Sequence, residues 1–277
     1  MRQRTDVDMR ERGVRRRDAI GAIVLTSRQR SGLALASIVG LLSLWWILTA
    51  TGLMNTVLLP SPVDVVKSLA QASLDGSLAR NVAVSLLRVV EGFVIALVLA
   101  VPMGILMGSS AVARGLVEPV IELLRPIPPI AVIPLVILWF GIDELSKVVV
   151  IAYGAFFPIL INTTAGFEEV DRTHVRAAQT LGAQRLHIFR DVILRSAFPF
   201  IVVGARLGMS MAFIVLVAAE LIASSAGLGY LINDARYNFR TDQIFLGIAC
   251  IGVLGFLLNK GLVEIESRLL KWKQTTH

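Results

Sequence analysis

Val175-Arg176-Ala177-Ala178-Gln179-Thr180-Leu181-Gly182-Ala183-Gln184-Arg185-Leu186 is the stretch on which the fold turns. Its first half is made of strong helix formers, alanine foremost. Gly182 enters the left-handed region without a Cβ clash and so stops that helix. His187-Ile188-Phe189-Arg190-Asp191-Val192-Ile193-Leu194 then continues as a second, amphipathic helix, with Leu186, Phe189 and Ile193 on one side and Arg185 and Arg190 elsewhere. Pro199 opens an apolar run. The spacing predicts a helix–glycine–helix elbow inside a polar segment, residues 168–199, between two long apolar stretches. Ala177 and Ala178 give its first helix small side chains, over which a partner surface can approach closely.

Outward from the elbow the chain is apolar. Of its 277 residues, 55% are hydrophobic and 17% charged, and the mean hydropathy is +0.73. That surplus marks a chain solvated partly by lipid. Six stretches (33–53, 82–108, 117–140, 147–167, 198–223 and 243–264) are each near or above the roughly 20 residues that cross a bilayer. The expected fold class is an all-α polytopic membrane protein with about six transmembrane helices. Residues 32–273 form its membrane domain and residues 1–31 a basic tail. The tail lacks the apolar core of a signal peptide, and the first apolar run is followed by no small-residue cleavage site, so the run is expected to stay as a span.

The net charge of +7 and the pI of about 10.2 pose nucleic acid against orientation signals. The placement of the cations decides. With the N-terminus in the cytoplasm, the inside segments hold nine tail arginines, Arg114, Arg172, Arg176, Arg185, Arg190, Arg195, Arg268, Lys271 and Lys273. The outside segments hold only Lys67, Arg80, Lys147, Arg236 and Arg240. Positive loops resist translocation, so both termini are expected in the cytoplasm. The tail carries no aromatic residue for stacking on bases, and no nucleic-acid partner is expected. On the outside, Ser61, Pro62 and Asp64 form a helix start, cap, first position and dipole partner in turn. A short interfacial helix carrying Val65, Val66 and Leu69 on one face should follow. Ala226 to Asp242 reads as a glycine-marked turn and a second short outer helix.

The third stretch is interrupted. Arg125-Pro126-Ile127-Pro128-Pro129 stands inside it, with Pro134 beyond. Prolines at this density break a helix. Broken backbone at membrane depth survives only where protein or water covers it, so Arg125, Pro126, Pro128 and Pro129 are expected to line an interior pathway. Charges in spans pair or face water. Arg88 with Glu91, and Glu122 with Arg125, have the three-residue spacing of same-face pairs. Glu220 has no local partner and is expected to act as a structural or gating residue, while Arg125 is the better candidate for attracting an anion.

The elbow resembles the cytoplasmic coupling loop of binding-protein-dependent ABC importer permeases. That pattern is Glu-Ala-Ala, three residues, Gly, nine residues, then Ile-x-Leu-Pro. Ala177, Ala178 and Gly182 stand at the right spacing, Leu194 matches directly and Val192 conservatively. Arg176 replaces the usual Glu, as it often does in taurine-type permeases, and Arg195 replaces the Pro. Leu124-Arg125-Pro126-Ile127-Pro128-Pro129, Ile137-Leu138-Trp139-Phe140-Gly141-Ile142, Phe157-Pro158, Val217-Ala218-Ala219-Glu220-Leu221-Ile222 and Gly227-Leu228-Gly229 also resemble the sulfonate, taurine and nitrate branch.

The resemblance implies a type I, MetI-like importer fold. It implies that Arg176, Ala177, Ala178, Gly182, Arg185 and Leu186 couple to an ATPase. It implies pairing with a second copy of the chain in lipid, two cytoplasmic ATPase subunits and an external substrate-binding protein. ATP and magnesium would sit on the ATPase, with no cofactor on this chain.

Other functions fit less well. No Gly-x4-Gly-Lys-Ser/Thr phosphate loop is present, so the chain is not expected to bind ATP itself. His174, His187 and His277 lie outside the spans without metal-site spacing, and no clustered nucleophile suggests an enzyme. The single Cys250 allows no internal disulfide and reads as a packing residue. A secondary transporter would show repeated halves and midplane acids and would leave the elbow unexplained. The solute is not legible: related permeases carry taurine, alkanesulfonates, nitrate, bicarbonate, pyrimidine precursors or riboflavin.

Overall fold

A computed structural model describes residues 27–52, 54–55 and 57–269. The tail arginines up to Arg17, together with Lys271 and Lys273, lie outside them. All regular structure among the described residues is helical.

The first compact unit ends at Met54. Its helix, α1, runs Ser27–Ala50, with an apolar part at Val39–Ala50. The Thr49 hydroxyl reaches back to the Trp45 and Trp46 carbonyls and closes the last turn on itself.

The second unit begins at Asn55. Its helices are α2 (Pro62–Leu74), α3 (Ser77–Ser109), α4 (Ala111–Leu124), α5 (Pro129–Phe140), α6 (Glu144–Glu168), α7 (Arg172–Thr180), α8 (Arg185–His187), α9 (Leu194–Ala223), α10 (Leu228–Tyr237) and α11 (Thr241–Leu269). Among the described residues, four helical stretches are long and apolar enough to cross a membrane: Ser77–Ser109, Glu144–Glu168, Arg185–Ala223 and Thr241–Arg268. The pair α4 and α5 adds a fifth if taken as one span, bent by 97°. The expected single third span is thus two short helices around Arg125-Pro126-Ile127-Pro128.

The expected start of α2 is present. Ser61 Oγ accepts from the Asp64 N–H (3.2 Å) and Pro62 is the first helical residue. Its buried side, however, is Ser68 and Ala72, because Ser68 turns to Asp242 of α11. Val66 and Leu69 remain exposed.

The core is built on α6. Along α3 the residues Gly92, Ala96, Ala100, Gly104 and Gly108 recur every four positions, which makes one ridge with almost no side chain. Ile151, Ala155, Ile159, Thr163 and Phe167 have the same period on α6. A Cβ on Gly92 would lie 2.5 Å from Ile151 Cγ2, and one on Gly104 2.6 Å from Thr163 Cβ; Gly108 meets Phe167 still more closely. The constant offset of 59 positions means that α3 and α6 run parallel at close approach, the small-xxx-small packing of membrane helices. Against α9, Gly166 meets Phe200, Gly208 meets Ile159 and Gly154 meets Val215, so α9 runs antiparallel to α6. Val89, Ile151, Ala155, Ile159, Leu160, Val215 and Leu216 fill the seam.

Two ends of this three-helix block can be named. One is the elbow end, with Ser109, Glu168 and the polar segment. The other is the far end, with Ser77, Glu144 and Ala223.

Candidate functional site

At the elbow end, the Glu168–Arg172 corner turns α6 into α7. Asp171 caps α7, its Oδ1 accepting from the Thr173 N–H at 2.7 Å. That bond holds the Asp171 carboxyl below the usual carboxylate range. The C-terminus closes as a Schellman turn: the Ala183 N–H reaches the Ala178 carbonyl at 3.0 Å across Gly182, whose φ is +77°. Nothing lies within 4 Å of where a Gly182 side chain would start.

Arg176, Ala177, Gly182, Arg185 and Leu186 all face solvent and Ala178 is half-buried. Leu181 and Leu186, on either side of the glycine, are 87% and 72% exposed. This differs from the expected face. Leu186 does not share the inner side with Phe189 and Ile193. Ile188 is the residue buried there, and Phe189 packs its ring 6.2 Å from Phe167 at the foot of α6. The apolar stripe is shifted because Ile188–Ile193 is wound as a π-helix, which takes more residues per turn than the α-helical register assumes.

A second difference follows. The second elbow helix and the next span do not form separate elements. α8, the π stretch and α9 form one helical run of 39 residues, Arg185–Ala223, and pass straight through Pro199. At 1.5 Å per residue this is a rod about 58 Å long.

The broken third stretch lies beside α6. Tyr153 Oη donates to the Leu124 carbonyl (2.9 Å) and approaches the Ile127 carbonyl (3.4 Å). It thereby satisfies acceptors that the break leaves without helical partners. Pro129 packs toward Gly154. Arg125 opens on a cleft of about 200 Å³, together with Glu118, Glu122, Glu168 and Thr164. No ion pair joins Glu122 to Arg125 among the described residues. One guanidinium among three carboxylates leaves the cleft net negative. Arg114 closes its elbow side through an ion pair to Glu168.

The far end holds the densest polar network. Arg88 does not pair with exposed Glu91. Its Nε and Nη2 donate to the two oxygens of Glu144 (2.5 and 2.6 Å). The two N–H groups of its Nη1 are shared among Glu220 Oε1 (2.7 Å), Ser224 Oγ (3.0 Å) and the Ala226 carbonyl (2.6 Å). Glu220 is 1% exposed; it also accepts from Ser85 Oγ (2.8 Å) and the Gly229 N–H (2.8 Å). Lys147, expected in an outer loop, is buried on α6 and donates to Glu144 at 3.1 Å. Two cations and two carboxylates thus balance. Among the sequence-derived candidates, Glu220 sits here and Arg125 at the break, on different sides of the block. Glu144, Lys147 and Ser85 were not anticipated. The available signal was that Arg88 and Glu220 are opposite charges without local partners in two apolar spans.

Comparison with known proteins agrees with this architecture. The profile of the family described as "Binding-protein-dependent transport system inner membrane component" matches residues 100–268. The chain is 38% identical over 245 residues to the taurine transport system permease protein TauC of Escherichia coli (strain K12), covering 87% of this chain and 89% of that protein. It is 37% identical over 244 residues to the putative aliphatic sulfonates transport permease protein SsuC of Bacillus subtilis (strain 168), covering 88% of each. A solved structure described as an amino acid ABC transporter with histidines shares the fold, with a TM-score of 0.59 at 17% identity over 73% of this chain and 96% of that one.

Proposed function

The chain belongs to the family of binding-protein-dependent transport system inner membrane components, and from that premise we propose that it carries a small organic sulfonate, of the size of taurine or an alkanesulfonate, across the bacterial plasma membrane. It is a multi-pass membrane subunit of an ABC importer in the taurine, sulfonate and nitrate branch, and a transport component rather than an enzyme. Its working partners are an ATPase and a substrate-binding protein. In our reading two copies pair in the bilayer, two ATPases dock on the cytoplasmic elbows with ATP and magnesium on their own chains, and both termini of this chain face the cytoplasm. The far end then faces outward.

The observation that carries this reading is the elbow: a capped helix, a left-handed glycine and two solvent-facing leucines, followed by a second elbow helix that runs without a break into a rod spanning the block. A motor pressing on Arg176, Ala177, Ala178, Gly182, Arg185 and Leu186 would move that rod as one body, because a continuous helix transmits tilt over its whole length. Pairing with a second copy is supported by α4, which buries none of its own residues, and by the exposed Leu123 near the break and Leu138 and Trp139 in the last turn of α5. Pro126 and Pro128, at the break, are exposed as well, so a pathway between two copies would run along the bent pair.

The net negative cleft around Arg125 gives little attraction to an anion. Selection of the sulfonate therefore falls to the binding protein in our reading. The test is uptake of labelled taurine, an alkanesulfonate and nitrate by proteoliposomes holding the chain with its ATPase and binding protein. ATP-dependent uptake of a sulfonate is expected. Uptake of nitrate alone would replace the substrate, and uptake without any ATPase would overturn the importer reading.

A further inference from the structure

Arg88, on α3, spends its donors on the side chains of two other helices and on the far-end turn. It holds α6 through Glu144, α9 through Glu220, and the far-end turn through Ser224 and the Ala226 carbonyl. The turn is tied down twice more: the Gly227 N–H donates to Asn81 (2.9 Å) and the Leu228 N–H to Ser85 (2.9 Å), both on α3. The glycines there are required by the carboxylate. Gly227 has φ of +117° with Glu220 oxygens where its side chain would begin, and a Cβ on Gly229 would lie 2.6 Å from Glu220 Cβ.

A buried ion pair is weak evidence for stability, since apolar residues of like volume often serve as well. What an apolar pair lacks is direction. This network fixes the position of one turn, and of α10 behind it, relative to three helices at once.

We propose that Arg88 and Glu220 are positioning residues that lock the end of the Arg185–Ala223 rod and the far-end turn, residues 224–229, to α3 and α6, so that elbow motion reaches the outer surface as a movement of the whole far end. Glu220 lies 35 residues from Arg185 along the rod, about 50 Å. A tilt of about 5° at the elbow displaces that point by about 4 Å, more than a hydrogen bond tolerates. The far ends of α3 and α6 therefore either travel with the rod and its turn, held by the pair, or lose these contacts. The inference rests on the importer reading, because it requires a motor at the elbow and a binding protein at the far end.

The test uses the permease assembled with its ATPase and binding protein in proteoliposomes and reads uptake per ATP hydrolysed. The decisive variant is the double substitution Arg88→Met/Glu220→Leu. It removes both charges together and leaves Glu144 with Lys147 as a neutral pair. A purely structural pair predicts that this double variant regains wild-type coupling once it folds. A positioning pair predicts an assembled complex whose coupling ratio falls about fivefold or more.

Wild-type coupling in the double variant overturns the proposal. If that variant fails to assemble, Asn81→Ala decides, since it cuts one tether of the turn without stranding a charge. A coupling ratio lowered about twofold or more supports the proposal, and an unchanged ratio refutes it. Absence of binding-protein-stimulated hydrolysis in the wild-type complex would refute the importer reading itself, and the pair's role with it.

Discussion

The parallel contact of α3 with α6 makes Gly104→Ala the sharpest test of how the block is held together. The added Cβ would lie 2.6 Å from Thr163 Cβ and 2.8 Å from its Cγ2. Ordinary carbon–carbon contact is about 3.5–4 Å, so the two ridges must part by about 1 Å locally. A gap of that size forfeits a quarter to a half of each contact's attraction, and some 20 atom pairs at about 0.15 kcal/mol then lose roughly 1 kcal/mol. Strain in the displaced side chains takes the expected loss to about 1–3 kcal/mol. The greater helix propensity of alanine returns little of this, because a chain in lipid keeps its helices even when they are separated. The assay is unfolding in mixed micelles on titration with SDS, followed by circular dichroism.

A double-mutant cycle makes the cause specific. Thr163→Gly removes the obstructing Cβ and should recover about 1 kcal/mol of the loss as coupling energy. Thr163→Ala keeps that Cβ and should recover much less. Gly252→Ala on α11, where nothing lies within 4 Å, is the control and should be neutral or stabilising. Equal rescue by both Thr163 variants, or wild-type stability of Gly104→Ala, would refute the close-approach account.

Other outcomes follow from the elbow and the break. Gly182→Val places a β-branched residue at φ of +77°, at a strain of about 1–3 kcal/mol; ATPase capture in a pull-down should fall while the helical signal of the spans is retained. Tyr153→Phe removes the donor to the Leu124 carbonyl and should destabilise the protein by about 1 kcal/mol, read in the same SDS titration. The Asp171 carboxyl has a lowered pKa, so its capping contribution is complete above the ordinary carboxylate range and is lost only as pH falls through the depressed value. ATPase docking should therefore be flat from about pH 6 to 8 with respect to this group, and Asp171→Ala, which removes the cap acceptor, should weaken docking at all of these pH values alike. Arg125→Gln tests the remaining anion idea: in a cleft with three carboxylates, uptake should stay within about threefold of wild type, less than one unit-charge contact is worth.

What the sequence disclosed and what it withheld divide along a physical line. Features set by a few neighbouring residues were legible. The Ser61–Pro62–Asp64 start, the stop at Gly182 and the proline break after Leu124 each follow from local backbone chemistry, and the structure has all three. The inner face of the elbow was displaced because a π-helical stretch changes the angular step, and periodicity assumes a constant one. The α3 ridge was missed for a different reason: glycine and alanine every fourth residue looks like ordinary membrane composition until the facing positions on α6 are known. The charges show the same limit. Arg88 and Glu91 are three residues apart, and local spacing favours that pair. Lipid imposes a stronger condition, that no buried charge stays alone, and 132 positions separate Arg88 from the carboxylate that meets it. Applied to the apolar spans as a set, that condition would have matched Arg88 to Glu220 before any coordinates, because neither is satisfied within its own helix. The residues that join the elbow to the far end are therefore found by asking which charges need each other across the fold, rather than which ones stand close in the chain.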